Sequence, residues 1–223
     1  QNLQALMVNE SGLPIGYEII PGASYEGHTL MPALEKLKER YKLEKLEVVA
    51  DSGLLSKDNC QALADQGYHY VLGARLRNLP IELQEAILGS DNYQKIDNKQ
   101  QGKKPTEHED QQRLGEFNYG HRRLVVHYSA KRARKDAHER EKSIEKLQKR
   151  LAKNKSTKAF LGNNGYKKFL DLSQQSIVSV NEEKVAAEAR WDGLCGFLTN
   201  IDDEDAKTLI SHYRGLWQIE ACF

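Results

Sequence analysis

Residues 46–73 of this 223-residue chain read LEVVADSGLLSKDNCQALADQGYHYVLG, and they predict a strand, a helix and a second strand. The apolar run LEVVA ends at Asp51, where the next two residues favour a turn. Ser56 is a typical N-cap for a helix over residues 57–66, and Gly67 stands just past its end. The run YHYVLG predicts the following strand. Strands that alternate with helices are typical of an α/β sheet.

The segment before this unit adds two strands and a helix. Residues 3–9 and 13–20 are short and apolar-rich, and the turn residues between them predict a β-hairpin. Residues 28–41 carry apolar side chains at helical spacing. The order β-β-α-β-α-β therefore predicts a mixed α/β sheet, since it opens with a hairpin.

The chain becomes polar beyond residue 77. Residues 78–120 predict mostly loop, with a short helix at 80–88. Residues 123–129 alternate as a strand does, and residues 130–154 predict a long charged helix. The remaining predicted elements are strands at 172–181, 184–191 and 196–200 and a final helical segment that starts within 202–205 and extends to 223.

Composition excludes several classes of protein. The hydrophobic fraction of 39% and the charged fraction of 29% are typical of a soluble globular chain. No apolar run approaches the roughly 18 residues that span a bilayer, and no charged leader precedes an apolar stretch. The three cysteines lie far apart, which predicts neither a zinc site nor a disulfide framework. We therefore expect a cytoplasmic protein without membrane contact.

The charge distribution leaves two interpretations open. The formal net charge is only +1, so bulk charge gives no argument for nucleic acid. Between Lys131 and Lys158, however, there are twelve Lys or Arg residues and four Asp or Glu residues. This helix is either a solvated surface with many ion pairs or a contact with a phosphate backbone.

Two carboxylates are candidates for chemistry. Asp51 ends a buried strand, where open α/β sheets bind ligands, although the same residues also suit an ordinary turn. Glu220 lies in the segment 213–223, and in a helix it would share a face with Trp217. It could equally be an incidental residue of an amphipathic helix.

Four segments together resemble the transposases of bacterial insertion sequences that have an RNase H-like core, an aspartate-aspartate-glutamate (DDE) triad and a Tyr-x-x-Arg-x-x-x-Glu signature. They match in order and spacing, and the resemblance covers nearly the whole chain. The segments are LPIGYEIIPGASYEGHTL (13–30), VVADSGLLSKDNCQAL (48–63), WDGLCGFLTN (191–200) and YRGLWQIEACF (213–223).

The resemblance assigns roles to particular residues. Asp51 matches the second acid of the triad, Glu220 the third, and Tyr213 the signature tyrosine. Leu216 occupies the signature arginine position, with Arg214 nearby. The first acid would lie on a strand before residue 3, so the resemblance supplies only two of the three acids.

The resemblance also implies an architecture. We expect an RNase H-like mixed sheet flanked by helices, with a large mixed α/β insertion before the last helix. The core would comprise residues 1–77 and 196–223, and the insertion with its charged helix would comprise residues 78–195.

The activity implied is metal-dependent phosphodiester hydrolysis and strand transfer on double-stranded DNA, both transposon ends and target. The protein would act as a homodimer in the bacterial cytoplasm at the nucleoid. Two Mg²⁺ (or Mn²⁺) ions about 4 Å apart would be held by carboxylates. With two acids matched, Asp51 and Glu220, we expect weak metal binding and no cleavage by this chain alone. The alternatives are a non-catalytic remnant or regulatory fragment that binds DNA or a protomer, and an α/β binding domain with an accidental likeness.

The DNA contacts are predicted from the resemblance and from the charged helix. Trp191 stands near the place where relatives stack an unpaired base, although a core tryptophan at the head of a strand is the simpler interpretation. The predicted DNA-contacting residues are Tyr213, Arg214, Trp191, Lys131, Arg132, Arg134 and Lys135.

Overall fold

The computed structural model describes most of the chain and shows a mixed α/β protein, as the sequence predicts. The described residues are 3–8, 14–20, 26–43, 46–53, 56–89, 93–96, 111–153, 168–172 and 177–215.

The strands and helices within these ranges have the following bounds. The strands are β1 (Leu3–Val8), β2 (Pro14–Ile20), β3 (Glu47–Ala50), β4 (His69–Ala74), β5 (Gln94–Lys95), β6 (Gln112–Tyr119), β7 (Arg122–Ser129), β8 (Leu170–Leu172), β9 (Ile177–Val180) and β10 (Leu194–Thr199). The helices are α1 (Glu26–Tyr41), α2 (Lys57–Asp65), α3 (Ile81–Leu88), α4 (Ala130–Lys153), α5 (Glu182–Ala189) and α6 (Ala206–Arg214).

The main sheet has six strands in the order β3-β4-β10-β7-β6-β5. Strands β3 and β4 are parallel, and β10 is antiparallel to β4. Strands β1 and β2 form the predicted hairpin, and β8 pairs with β9. A mixed sheet with these helices is consistent with an RNase H-like core flanked by helices.

The unit that connects β3 to β4 forms as its residues predict. The Ser56 hydroxyl accepts a hydrogen bond from the Asn59 amide at 3.0 Å and so caps α2. Gly67 follows the helix with a φ of 70°, a left-handed conformation that a side chain disfavours. The parallel pair then places Ala50 opposite Leu72, so both strands end at the same edge of the sheet.

The chain divides into two compact units. The first comprises residues 1–93, 114–126 and 195–223. Helix α6 packs on β3 and β4 there, since its Ala206, Leu209 and Ile210 are buried together. The rest of this core comes from the sheet and the segment before α6, with Val71, Val125, Phe197 and Ile201. Burial of this apolar face fixes α6 against the sheet.

The second unit comprises residues 94–113 and 127–194 and has its own small core. Leu147 of α4 is fully buried with Phe169 and Leu170. Leu151 and Val185 pack against them. Helix α4 is highly charged, but it packs against this core through its apolar residues Leu147 and Leu151.

One segment predicted as loop is a strand. Residues 112–119 form β6, next to β7 in the sheet. The prediction was wrong because this segment is mostly polar, and its stability comes from its partner. Gly120 turns the chain with a φ of 64°, and Arg123 pairs with Glu116 at 2.8 Å. Neither feature produces a periodic pattern of apolar residues within the sequence of β6.

A second segment was predicted as a strand and is a helix. Residues 184–191 overlap α5, which begins at Glu182. The Asn181 side chain accepts a hydrogen bond from the Lys184 amide at 2.9 Å. Two glutamates in the first turn stabilise the helix, because their negative charges lie near the positive end of its dipole. The cap and these charges favour a helix over the predicted strand.

No helix in the part of the chain that the structure describes is long and apolar enough to cross a membrane.

Candidate active site at the end of strand β3

Asp51 lies directly after β3, at the edge where the parallel strands β3 and β4 both end. Its side chain is exposed, and Oδ1 accepts a hydrogen bond from the Gly53 amide at 2.7 Å. This turn holds the carboxylate close to its own backbone. An exposed and oriented carboxylate at the carboxyl end of a parallel strand is suited to a divalent cation or a polar substrate.

Tyr213 lies beside the turn that carries Asp51. A Cβ added to Gly73 of β4 would lie 2.7 Å from the Tyr213 hydroxyl oxygen and 2.9 Å from the Ser52 amide nitrogen. It would also lie 3.3 Å from the carbonyl carbon of Asp51. The tyrosine hydroxyl and the backbone after β3 therefore both lie near the one residue of β4 that has no side chain. Two residues that the sequence places 162 positions apart are neighbours here.

Packing holds the Tyr213 ring in this place. The ring lies against Phe197, with centroids 4.3 Å apart and planes tilted by 53°. Phe197 is the cross-strand partner of Gly73 in the β4–β10 pair. The Phe197 ring therefore covers Gly73 from the neighbouring strand, and the Tyr213 ring packs over both residues.

Helix α6 positions Tyr213. The Asp205 carboxylate accepts a hydrogen bond from the Thr208 amide at 2.8 Å and caps the helix, and this bond lowers the pKa of Asp205. The buried residues Leu209 and Ile210 then set the rotation of the helix. Arg214 is exposed in the last turn. The apolar face and the cap together explain why this segment is helical.

Glu220, the match to the third acid of the triad, lies outside the described residues, as does Leu216. The approach of Glu220 to Asp51 therefore stays a prediction.

Trp191 stands in a turn that is anchored to helix α4. It is partly buried and follows α5. Arg140 of α4 donates hydrogen bonds to both carboxylate oxygens of Asp192. Asp136, one turn earlier, accepts from the Gly193 amide at 2.9 Å. Two charged groups of α4 thus hold the residues that follow the tryptophan.

The four basic residues predicted to contact DNA lie on one side of the N-terminal half of α4. All four side chains are exposed. Arg132 lies 3.6 Å from Asp136 and Lys135 lies 3.8 Å from Glu139, both one helical turn apart. Exposed pairs of this kind contribute little to stability. The helix therefore has the ion pairs of a solvated surface and also presents cations to solution. The four residues are Lys131, Arg132, Arg134 and Lys135.

One cluster of functional side chains was missed by sequence reasoning. His212, in the last turn of α6, lies with Nδ1 2.8 Å from Oε1 of Glu47 and 3.8 Å from Oε2 of Glu204. Glu47 and His212 are 165 residues apart. No spacing rule links such residues, so only the docking of α6 on β3 could reveal them.

Comparison with known proteins gives one match. The family described as "Transposase DDE domain" matches residues 1–223. No curated protein and no solved structure matches the chain.

Proposed function

The chain belongs to the DDE transposase family, and we propose that Asp51 and Glu220 are two of the three acids of its catalytic site. The proposal rests mainly on one observation. The hydroxyl of Tyr213, which heads the segment 213–223, and the backbone that follows β3 both lie close to Gly73. Continuation of α6 beyond Gly215 would carry Glu220 two turns further along the same element.

Asp51 is suited to a divalent cation at the edge of the sheet where β3 ends. DDE transposases use divalent metal, and hard cations such as Mg²⁺ prefer carboxylate oxygens. Asp51 is exposed, and the turn to Gly53 orients its carboxylate. Bound cations would supply an activated water and a stabilised leaving oxygen for in-line displacement at phosphorus. Asp51 would hold a cation at the place where the scissile phosphate binds.

The residues matched in this chain supply two carboxylates of a three-carboxylate cage. We propose that the 223-residue chain alone binds Mg²⁺ weakly and does not cut DNA. A cation with fewer protein ligands keeps more of its water and is held less tightly. A protein that also carries the first acid is the active form in this proposal.

Contact with DNA is assigned to residues of both units. Arg214 follows Tyr213 in α6 and is exposed, and we assign to it a contact with a phosphate. The cations of α4 are suited to the phosphate backbone. We assign to Trp191 the stacking of an unpaired base, which requires a ring held in one orientation. The contacts of Asp192 with Arg140 and of Gly193 with Asp136 support such a rigid turn.

The setting proposed is the bacterial nucleoid, where a dimer would act on paired transposon ends and on target DNA. Transposases act on DNA, so the DNA partner follows from the family. The dimer and the location are proposals that the cleavage assay below does not require.

The test is a cleavage assay on labelled element-end DNA with Mg²⁺ or Mn²⁺. It compares this chain with a longer protein that also carries the first acid of the triad. We expect only the longer protein to cut, and Asp51→Ala and Glu220→Ala each to abolish cutting. Asp58→Asn is the matched control, because Asp58 is an exposed acid on α2, close in sequence to Asp51.

Two results would count against the proposal. Cutting that survives Asp51→Ala would remove Asp51 from the catalytic site. If neither protein cuts but both retard the DNA in a gel, the chain is a regulatory DNA-binding remnant. In that case Asp51 and Glu220 are inherited positions without a working site.

A further inference from the structure

Glu47, Glu204 and His212 form a cluster at the start of β3, whereas Asp51 follows its end. One donor atom from each side chain lies within 4.8 Å of the other two. The shortest approach is 2.8 Å between His212 Nδ1 and Glu47 Oε1. Two carboxylates and one imidazole thus converge on a space a few ångströms wide.

A hydrogen-bonded pair of Glu47 and His212 accounts for only part of this cluster. Oε2 of Glu204 is shielded from solvent and has no hydrogen-bond partner among the described residues. It lies 3.8 Å from His212 Nδ1, beyond hydrogen-bonding distance. A carboxylate oxygen removed from water without a partner is costly. The orphaned oxygen points to a positively charged ligand that binds between the three side chains.

The three side chains are mounted on separate and rigid parts of the first unit. Glu47 is in β3 and His212 is in α6. Glu204 precedes α6, and Arg123 donates to its backbone carbonyl at 2.9 Å. The same guanidinium donates to the Ile201 carbonyl at 2.7 Å. A strand, a helix and an arginine-braced turn therefore fix the donor positions in advance.

The cluster is separate from the proposed catalytic site. Glu47 and Asp51 are four residues apart in extended chain, which corresponds to about 13 Å between their Cα atoms. Two catalytic ions lie only about 4 Å apart. The cluster can therefore not be a flank of the Asp51 site.

We propose that Glu47, Glu204 and His212 bind a divalent transition-metal ion of the zinc class. One imidazole nitrogen with two carboxylate oxygens is a donor set that suits Zn²⁺. Mg²⁺ and Ca²⁺ prefer donor sets made of oxygen alone. Between 26% and 34% of each side chain is exposed, so an ion can reach the cluster from solution. The bound ion ties β3 to α6.

The test is a titration of the full 223-residue chain with Zn²⁺ against a competing chelator. We expect one equivalent to bind, with at least tenfold weaker binding in His212→Gln and in Glu204→Gln. Asp203→Asn is the matched control, since Asp203 is an exposed acid next to Glu204. Zn²⁺ should also raise the melting temperature of the wild type, because it binds only the folded state, and should not raise that of His212→Gln.

Three results would overturn the proposal: no binding by the wild type, equal binding by His212→Gln, or an equal loss in Asp203→Asn. Circular dichroism without metal shows whether each variant folds. If His212→Gln does not fold, Glu47→Gln replaces it with the same expectation. Asp51→Asn separates this proposal from the catalytic one, since it should leave Zn²⁺ binding unchanged. Failure of DNA cleavage does not affect the titration.

Discussion

The two ends of strand β3 each carry a carboxylate, and the two are held in different ways. Asp51 at the carboxyl end is exposed and bonded to Gly53, two residues away. Glu47 at the other end is three-quarters buried and bonded to His212, 165 residues away. A carboxylate placed by its own turn can be predicted from the sequence. One placed by the docking of a distant helix cannot.

Helix α6 contacts residues at both ends of β3. Its consecutive residues His212 and Tyr213 contact Glu47 and the Gly73–Ser52 region, respectively. Adjacent residues on a helix point about 100° apart, so one turn of α6 reaches along the length of β3. The four variants below act on one end or on both.

The largest effect is expected from Asp51→Asn in the longer protein that carries the first acid. The asparagine oxygen can still accept the Gly53 hydrogen bond, so the turn should remain. The lost charge removes a cation ligand, and cleavage should fall more than about 100-fold, beyond the cost of losing an outer partner. The measurements are single-turnover cleavage and the melting temperature. A variant that cuts normally would show that this end of β3 only makes a turn.

Leu209→Ala should weaken both ends together. Leu209 is fully buried in the core between α6 and the sheet. Its truncation leaves a cavity, and the free energy of unfolding should fall by about 2–5 kcal/mol. Urea unfolding measures this loss, and Leu209→Met, which conserves volume, should cost less than about 1.5 kcal/mol. Zn²⁺ affinity should fall as well, since His212 is on the same helix. If the Zn²⁺ affinity stays unchanged, the packing of Leu209 does not set the position of His212.

Gly73→Ala should affect the Asp51 end alone. Its methyl group would meet the Tyr213 hydroxyl and the Ser52 amide, and overpacking of this kind costs about 1–3 kcal/mol. Tyr213→Phe in the same chain should recover part of the loss, which a double-mutant cycle measures. Gly89→Ala is the control for glycine loss without crowding, because the nearest atom to its added Cβ, the Glu85 carbonyl oxygen, lies at 3.4 Å and its φ of −73° suits any residue. A Zn²⁺ affinity altered by Gly73→Ala would show that the two ends are not independent.

The smallest effect is expected from Glu47→Gln in metal-free protein. The hydrogen bond between Glu47 and His212 is partly exposed, and a carboxamide replaces the carboxylate in it, so the variant should lose at most about 1 kcal/mol. Chemical denaturation in the presence of a chelator measures it. Glu82→Gln, an exposed change in α3, should stay within about 0.5 kcal/mol of wild type. A loss of several kcal/mol would mean that the pair stabilises the fold without any ion.

The parts of the fold that sequence predicts are those with local signals. The apolar run before Asp51, the Ser56 cap and Gly67 define β3-α2-β4 without help from the rest of the chain. Strand β6 is polar and depends on β7, and the helix α5 depends on the cap at Asn181. Both were therefore predicted wrongly from their own residues.

The residues of the candidate site also divide into those that local sequence predicts and those that only distant contacts reveal. The position of Asp51 at the end of a strand follows from the order of apolar and turn residues. The contact of Tyr213 with the Gly73 region requires the docking of α6, which no pattern specifies. The family resemblance named Tyr213, but its neighbour His212 has no signature and was missed.

The bare surface at Gly73 has a mechanical consequence. Because Gly73 has no methyl group, the Tyr213 hydroxyl and the Ser52 amide both approach β4 at this residue, so α6 and the turn after β3 pack on the sheet at the same place. Close-packed interiors pass a displacement from neighbour to neighbour with little loss. We therefore expect a displacement of α6 to reach the turn that bears Asp51 through the packing around Gly73.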